Sequence, residues 1–489
     1  MLKNVATNIN KINIEFERLL TPSGLFGFRT TTKIHAFWNL YLNGLGVAIA
    51  ERLELIRSEK VYSYRYLSDG SEELFNRESS WRYYREQTLI DPELLDSSYV
   101  VQTDISGFYE HIYHHRIENF IADIFPQKTS VGKQIDRILS KLSSGRSFGL
   151  PVGSQCSRIL AELFMSHIDT ALTDKSINWH RYVDDITLIA KSEAEAYSHL
   201  AELSHLLSNF GLSLNRTKTT IMPSNHYKNY VIAQLGLNRD SSWIRLSEID
   251  LHFDPYSDTA VEDFEELRAV VENIDIHSLL NDELSKGQPD AYLVSKISQT
   301  ILLQKKEDVL SLCKTFLQIE NLHAFRGSWS TIMRAISKVR GNSAFQDIFD
   351  DIDELLDQII CNAKHLLLAE TNSLYLLKAI RFKKTPTRGI FVTELFDKTK
   401  SFSIQRACME CWEVWKERNK LIGMRNIWGT LHSEVQRRVL LSSYKFNDDG
   451  AHLRLQLENN LLTWQLGIQQ NGNSDDFMKC YLEWANQYE

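Results

Sequence analysis

The stretch WHRYVDDITLIA, residues 179–190, constrains this chain more than any other. Two short β-branched and apolar runs flank Asp184-Asp185, so the pattern reads as strand, tight turn, strand. Adjacent carboxylates at such a turn repel each other, and a divalent metal relieves the repulsion. Asp-Asp is also common at plain turns and helix caps, so the pair gains meaning only with a third carboxylate upstream on a strand. Asp104 is that residue, in SSYVVQTDISGFYEHIYHH, delivered by an apolar strand and followed by a Ser-Gly turn. If the two strands are neighbours in one sheet, Asp104, Asp184 and Asp185 converge at one edge. Two metal ions about 3.5–4 Å apart can be held there, one activating a 3′-hydroxyl and one neutralising a triphosphate and its leaving pyrophosphate. The backbone carbonyl of Ile105 supplies a further oxygen.

Between these carboxylates lies SFGLPVGSQCSRILAELFM, in which Gly149, Pro151 and Gly153 break the chain before a strongly helical run. Such a turn lets backbone approach a nucleotide, and the helix N-terminus behind it favours phosphate, although a plain connecting loop has the same composition. Downstream, FGLSLNRTKTTI places Lys218 after a turn at Asn215, where a lysine can protonate or stabilise departing pyrophosphate.

The net charge of −8 counts against a chain coated in nucleic acid, but three basic clusters stand out: Arg77, Arg82 and Arg85 among aromatics; Arg381, Lys383, Lys384 and Arg388 in one loop; and Arg437-Arg438. Basic residues interleaved with aromatics suit phosphate contact and base stacking, with solvated helix faces as the alternative. We expect Arg82 at the incoming nucleotide and Arg77, Arg85, Lys383 and Lys384 on nucleic acid. Cys408 and Cys411 form a CxxC without partner ligands at zinc spacing and read as helix core. The first twenty residues read as an amphipathic helix and not a signal peptide, and no apolar run is long enough for a membrane span.

Up to about residue 235 short strand-like runs alternate with longer helical ones, the mark of an α+β domain. After about residue 260 apolar residues recur at helical spacing, as in Ile348, Ile352, Leu355, Ile359, Ala363 and Leu366. This half reads as roughly ten amphipathic helices, in an irregular solenoid of helical hairpins or a compact bundle. The acidic stretch DIFDDIDELLD fits the outer face of one of them. The expected domains are therefore 1–235 and 236–489.

Taken in order, a strand ending in D-x-S-x-F-Y, then GLPxGxxxS, then YVDD, then LNxxKT resembles motifs A to D of reverse transcriptases over about residues 50–225. Two departures matter: the usual glutamine after the motif B proline is Val152, and the usual proline after its serine is Arg158. The form LPVGxxxSRILAE is similar to the bacterial abortive-infection and other defence-associated reverse transcriptases.

That resemblance implies an α+β fingers and palm domain followed by an all-α, HEAT-like region in place of a usual thumb. It implies Asp104 and Asp184 as principal metal ligands with Asp185 assisting, two Mg²⁺ ions for which Mn²⁺ can substitute, and Tyr109 as the steric gate that favours deoxynucleotides. Pro151 and Gly153 would line the nucleotide. The partners implied are dNTPs, an RNA template (a non-coding RNA in some members) and a DNA product. A homo-oligomer, trimer or hexamer, in the bacterial cytoplasm and off the membrane, completes the expectation. Members are associated with protection against bacteriophage, and some prime on a protein hydroxyl, often a tyrosine. Tyr375, Tyr444, Tyr481 and Tyr488 are among the tyrosines available for that. A retroelement reverse transcriptase, or a non-catalytic nucleic-acid scaffold with a helical sensor, are the alternatives.

Overall fold

The computed structural model describes residues 14–23, 27–68, 73–125, 130–235, 246, 267–271, 274–286 and 289–461. Two compact units divide the chain: 1–16 with 32–239, and 17–31 with 240–489.

The first unit is built on a four-stranded antiparallel sheet in the order β4-β5-β3-β6, with β3 Tyr99–Thr103, β4 Asn178–Tyr182, β5 Asp185–Ala190 and β6 Thr220–Pro223. Strands β3 and β5 are neighbours, with Tyr99 opposite Ala190 and Thr103 opposite Ile186. The period-2 alternation of side chains then sorts the two faces. Val100 and Ile189 face Tyr227 and Val231 of a helix over Ser224–Leu235. Val101 and Leu188, paired and fully buried, take the opposite face. A long helix, Gln155–Asp174, is buried on most of its surface and packs on the helix Ala36–Leu53. A sheet buried on both faces explains why its strands read as apolar runs and not as alternating ones.

Among the described residues the second unit is helical apart from residues 17–31, which form most of a hairpin of β1 Phe16–Ser23 with β2 Gly27–Ile34. That hairpin corrects the expected amphipathic start: residues 16–20 are strand, and residues 1–13 lie outside the described ones. Polar contacts tie it in. The Leu20 N–H donates to Glu370 Oε2 at 2.5 Å, Thr371 Oγ1 donates to the Leu20 carbonyl at 3.2 Å, and the Ser403 N–H donates to Glu17 Oε2 at 3.2 Å.

The helices of this unit alternate between two rows. Ala291–Gln299, Trp329–Gly341, Glu370–Ile380, Phe402–Val414 and Ser433–Ser443 each pack on the next of their own row, and so do Lys306–Leu317, Phe349–Asn362 and Pro386–Lys398. One continuous core runs through them, from Val309 and Phe316 to Trp412 and Leu440. Cys408 and Cys411 sit in it, fully buried. Among the described residues no helix is long and apolar enough to cross a membrane.

Candidate active site

Asp104 leaves the end of β3. Thr103 pairs with Ile186, so the next residues along the two strands, Asp104 and Asp185, lie at the same end of the sheet. Tyr182 pairs with Asp185, so Val183-Asp184 is the two-residue loop of the β4–β5 hairpin. Val183 adopts φ 56°, as a primed hairpin turn demands, although a β-branched residue resists that conformation.

A second strand-like segment frames Asp104. The Asn215 N–H donates to the Asp104 carbonyl at 2.9 Å and the Ser106 N–H to the Ser213 carbonyl at 2.9 Å, which pairs Ile105 with Leu214. In such a non-hydrogen-bonded antiparallel pair the Ile105 carbonyl turns away from its partner strand, as a backbone ligand must. Asn215 Oδ1 accepts from the Thr217 N–H (3.2 Å) and Oγ1 (2.8 Å), a local turn that aims the next residue inward. Lys218 Nζ reaches Asp104 Oδ2 at 2.6 Å. Its pKa is raised, chiefly by this hydrogen bond and then by the charges of Asp104, Asp185 and Asp184.

The carboxylates are poised for a cation. Asp104 is 6 % exposed and its Oδ1 is buried without a hydrogen-bond partner. Burial pushes Asp184 up to about 6, with the negative charges of Asp185 and Asp104 adding to it. Asp185 is raised as well, first by burial and then by Asp104, against the opposing charge of Arg85 and a hydrogen bond from Trp81. An orphaned carboxylate oxygen beside two acids that resist ionisation is the donor set a divalent ion satisfies, so Asp104, Asp184, Asp185 and the Ile105 carbonyl fit the group.

A pH dependence follows. Between its ordinary 3.8 and its folded value of about 6, Asp184 holds more proton in the folded than in the unfolded protein. Its contribution to metal-free stability therefore falls as pH rises through that window and stays low above it. Melting midpoints from pH 5 to 8 should show Mg²⁺ stabilisation growing across the window and levelling above about pH 7. A Mg²⁺ effect independent of pH would contradict the assignment.

Tyr109 lies on the short helix Phe108–His111, half-buried, with Phe108 fully packed beneath it. Its hydroxyl is held neutral, first by burial and then by Tyr64, Glu162 and Asp184. The glycine turn docks on this helix: the Leu150 N–H donates to the Tyr109 carbonyl (2.8 Å) and the Gly149 N–H to that of Ile112 (2.9 Å). Pro151 is buried, whereas Gly153 is exposed at φ 115°, a conformation that favours glycine. The helix after the turn departs from expectation. Asn43 Oδ1 accepts from the Cys156 N–H at 3.1 Å, so a side chain already fills part of the place foreseen for phosphate.

The basic clusters need correction. Arg85 is 2 % exposed, lying over the Trp81 and Tyr84 rings, and so is an internal countercharge and no contact for nucleic acid. Arg388 is wholly buried against Asp353 and Asp357. Arg82 remains partly accessible, bonded to Glu86 and to the Leu235 carbonyl. Arg77 pairs with Glu73, Lys383 with Asp350 and Lys384 with Glu417, all about half exposed. Arg437 and Arg438 pair with Glu434 and Glu413. Of the tyrosines, Tyr375 and Tyr444 pack against the helical core, and Tyr481 and Tyr488 lie outside the described residues.

Sequence reasoning missed Trp81 beside Asp185, and it named Arg158 without foreseeing that its guanidinium lies 4.9 Å over the Tyr64 ring. It also missed Ser63 and Glu162, which hold the Val183 turn.

Residues 48–237 match the family model described as reverse transcriptase (RNA-dependent DNA polymerase). No curated protein matches the chain. Among solved structures, apo telomerase from Candida tropicalis is 12 % identical over 71 % of this chain and 72 % of that one, with a TM-score of 0.34. Telomerase from Candida albicans with a fragment of telomeric RNA is 12 % identical over 72 % and 67 %, TM-score 0.31. A polymerase complex inside a double-stranded RNA virus is 10 % identical over 93 % of this chain but only 44 % of its own, TM-score 0.31. Residues 48–237 thus constitute a reverse transcriptase domain, and the chain is an enzyme of the RNA-directed DNA polymerase class.

Proposed function

We propose that this enzyme polymerises dNTPs into DNA by two-metal-ion phosphoryl transfer and serves antiphage defence in the bacterial cytoplasm. One observation supports the chemistry: Asp104 follows directly on β3, whose last pair is Thr103 with Ile186 next to Asp185, and its Oδ1 is buried and unpaired. Asp104, Asp184, Asp185 and the Ile105 carbonyl are the proposed ligands for Mg²⁺, or Mn²⁺ in its place. When bound, such ions activate the 3′-hydroxyl and neutralise the phosphates. Lys218, a charged donor bonded to Asp104, is the proposed source of a proton or positive charge for departing pyrophosphate. Tyr109 stacks under the sugar, while Pro151, Gly153 and Arg82 border the nucleotide. Arg77, Lys383 and Lys384 are the proposed outer contacts to RNA template and DNA product.

The defence reading is supported by Val152 and Arg158 in motif B together with the two-row helical unit, which is compatible with a HEAT-like array. With it come a non-coding RNA template or template-independent synthesis, protein priming, and a trimer or hexamer. Purification from cells followed by sequencing of all bound nucleic acid tests these points. A single enriched small RNA identifies a template. DNA that resists phenol extraction until protease is added indicates protein priming. Absence of any synthesised DNA from phage-challenged cells would remove the defence-polymerase reading.

Tyr109→Ala should cut discrimination against ribonucleotides by roughly 10–100-fold, since it opens the space a 2′-hydroxyl needs. Competition between dNTP and rNTP in single-nucleotide incorporation measures this. Unchanged selectivity would remove Tyr109 from the gate.

A further inference from the structure

We propose that Ser63 is a positioning residue that holds the Val183-Asp184 turn in its strained form. The inference rests on the carboxylate site argued above and adds the device that keeps it assembled. Val183 sits at φ 56°, a conformation costly for a β-branched residue, so surrounding structure must over-determine it.

Both peptide groups of Val183 are gripped. Its N–H donates to Ser63 Oγ at 2.9 Å, and its carbonyl accepts from Arg181 Nη1 at 2.8 Å. Ser63 Oγ in turn donates to Glu162 Oε1 at 2.5 Å, and Glu162 Oε2 accepts from Arg57 at 2.8 Å and Arg181 at 3.0 Å. Asp169 closes the network with two bonds to Arg181, at 2.8 and 2.6 Å. Arg57, Arg181, Glu162 and Asp169 form a buried cluster of two cations and two acids, with Glu54 also pairing with Arg57. Burial on its own would raise the Glu162 pKa; the charges of Arg181 and Arg57 reverse this, so it stays ionised as an acceptor.

The segment that carries Ser63 is registered on the same strand. The Arg181 N–H donates to the Lys60 carbonyl (3.0 Å) and the Tyr62 N–H to the Arg181 carbonyl (3.0 Å), in a parallel bridge of Val61 with Arg181. Ser63 therefore arrives beside the turn by backbone register and not by side-chain reach. Its hydroxyl bonds the Val183 N–H and Glu162, neither of which is among the proposed metal ligands. Its effect passes through Val183 to Asp184 and Asp185, as partners behind metal ligands commonly do.

The test uses the full-length protein with Ser63→Ala, and Ser63→Cys as a variant of closer volume. Amide hydrogen exchange of residues 182–186 is measured without metal. Mn²⁺ binding is followed by paramagnetic resonance, and Mg²⁺ half-saturation by incorporation. Both variants should speed exchange at the turn and weaken metal binding about tenfold or more. Adding Val183→Gly to Ser63→Ala should recover much of the loss, because glycine adopts positive φ without help. Unchanged exchange overturns the tether. Faster exchange with unchanged metal binding, or a lowered melting temperature alone, overturns the positioning role. Failure of the carboxylate site itself would instead appear as wild-type protein that binds no Mn²⁺.

Discussion

Asp184→Asn with Asp185→Asn should lower nucleotide incorporation at least about a thousandfold and leave the metal-free protein no less stable than the wild type. Both acids already pay for their burial, and Asp184 is pushed up to about 6 by that burial and by its neighbours Asp185 and Asp104. Asparagine keeps the volume and a hydrogen-bonding oxygen for Trp81 but removes the charge that makes these sites resist ionisation. The hairpin should survive, because its geometry is held at Val183 and through strand pairing. What disappears is the negative charge that a divalent ion requires. Primer extension on an RNA template, with thermal melts of the same preparations, separates the two effects. Incorporation within tenfold of wild type would remove these carboxylates from the reaction. Loss of incorporation accompanied by unfolding would make the result structural. Under the proposed role, phage protection should vanish with incorporation, and a protective double variant would point to the scaffold alternative.

The convergence of the carboxylates was legible because each follows or precedes a short β-branched and apolar run that reads as a strand buried on both faces. Asp104, Asp184, Asp185 and Lys218 are near one another for reasons visible in their local patterns: a strand exit, a two-residue hairpin, an Asn-initiated turn. Arg85 was misread because a basic residue among aromatics has the same pattern whether it stacks on bases or, as here, on Trp81 and Tyr84 inside the protein. Glu162 and Arg181 had a signal, each being a charge inside a run that is otherwise core. Their partners Ser63 and Arg57 did not, because pairing across that distance in sequence is a product of tertiary register. The first strand was lost to a helical reading because FERLL carries apolar residues at spacings that suit either element, and its hairpin is stabilised by Glu370, Thr371 and Ser403 from far along the chain.

The acidic stretch of the helical unit was expected on an outer face, and its Asp353 lies instead at the centre of that unit's largest expected stability effect. Asp353 is 3 % exposed and takes two bonds from Arg340, at 3.0 and 2.9 Å. Arg388 adds a third at 3.0 Å and also bonds the Asp353 carbonyl at 2.8 Å. Arg388 retains Asp357 if Asp353 is lost, whereas Arg340 loses both of its hydrogen bonds and is left with the Phe349 and Phe382 rings and the charge of exposed Asp350. Breaking a buried pair by removing one partner strands a charge where water cannot reach it, at a cost of about 3–5 kcal/mol. Asp353→Ala should therefore lower the melting midpoint of the helical unit by on the order of 10 °C. Asp350→Ala, one turn away and exposed opposite Lys383, should leave the midpoint unchanged within error. Replacing Arg340, Asp353 and Arg388 together with apolar residues of matched volume should recover much of the loss, since the penalty is for the unpaired charge and not for the absent bridge. Equal midpoints for Asp353→Ala and Asp350→Ala would mean that water reaches the network and that Arg388 is as available to nucleic acid as its loop first suggested.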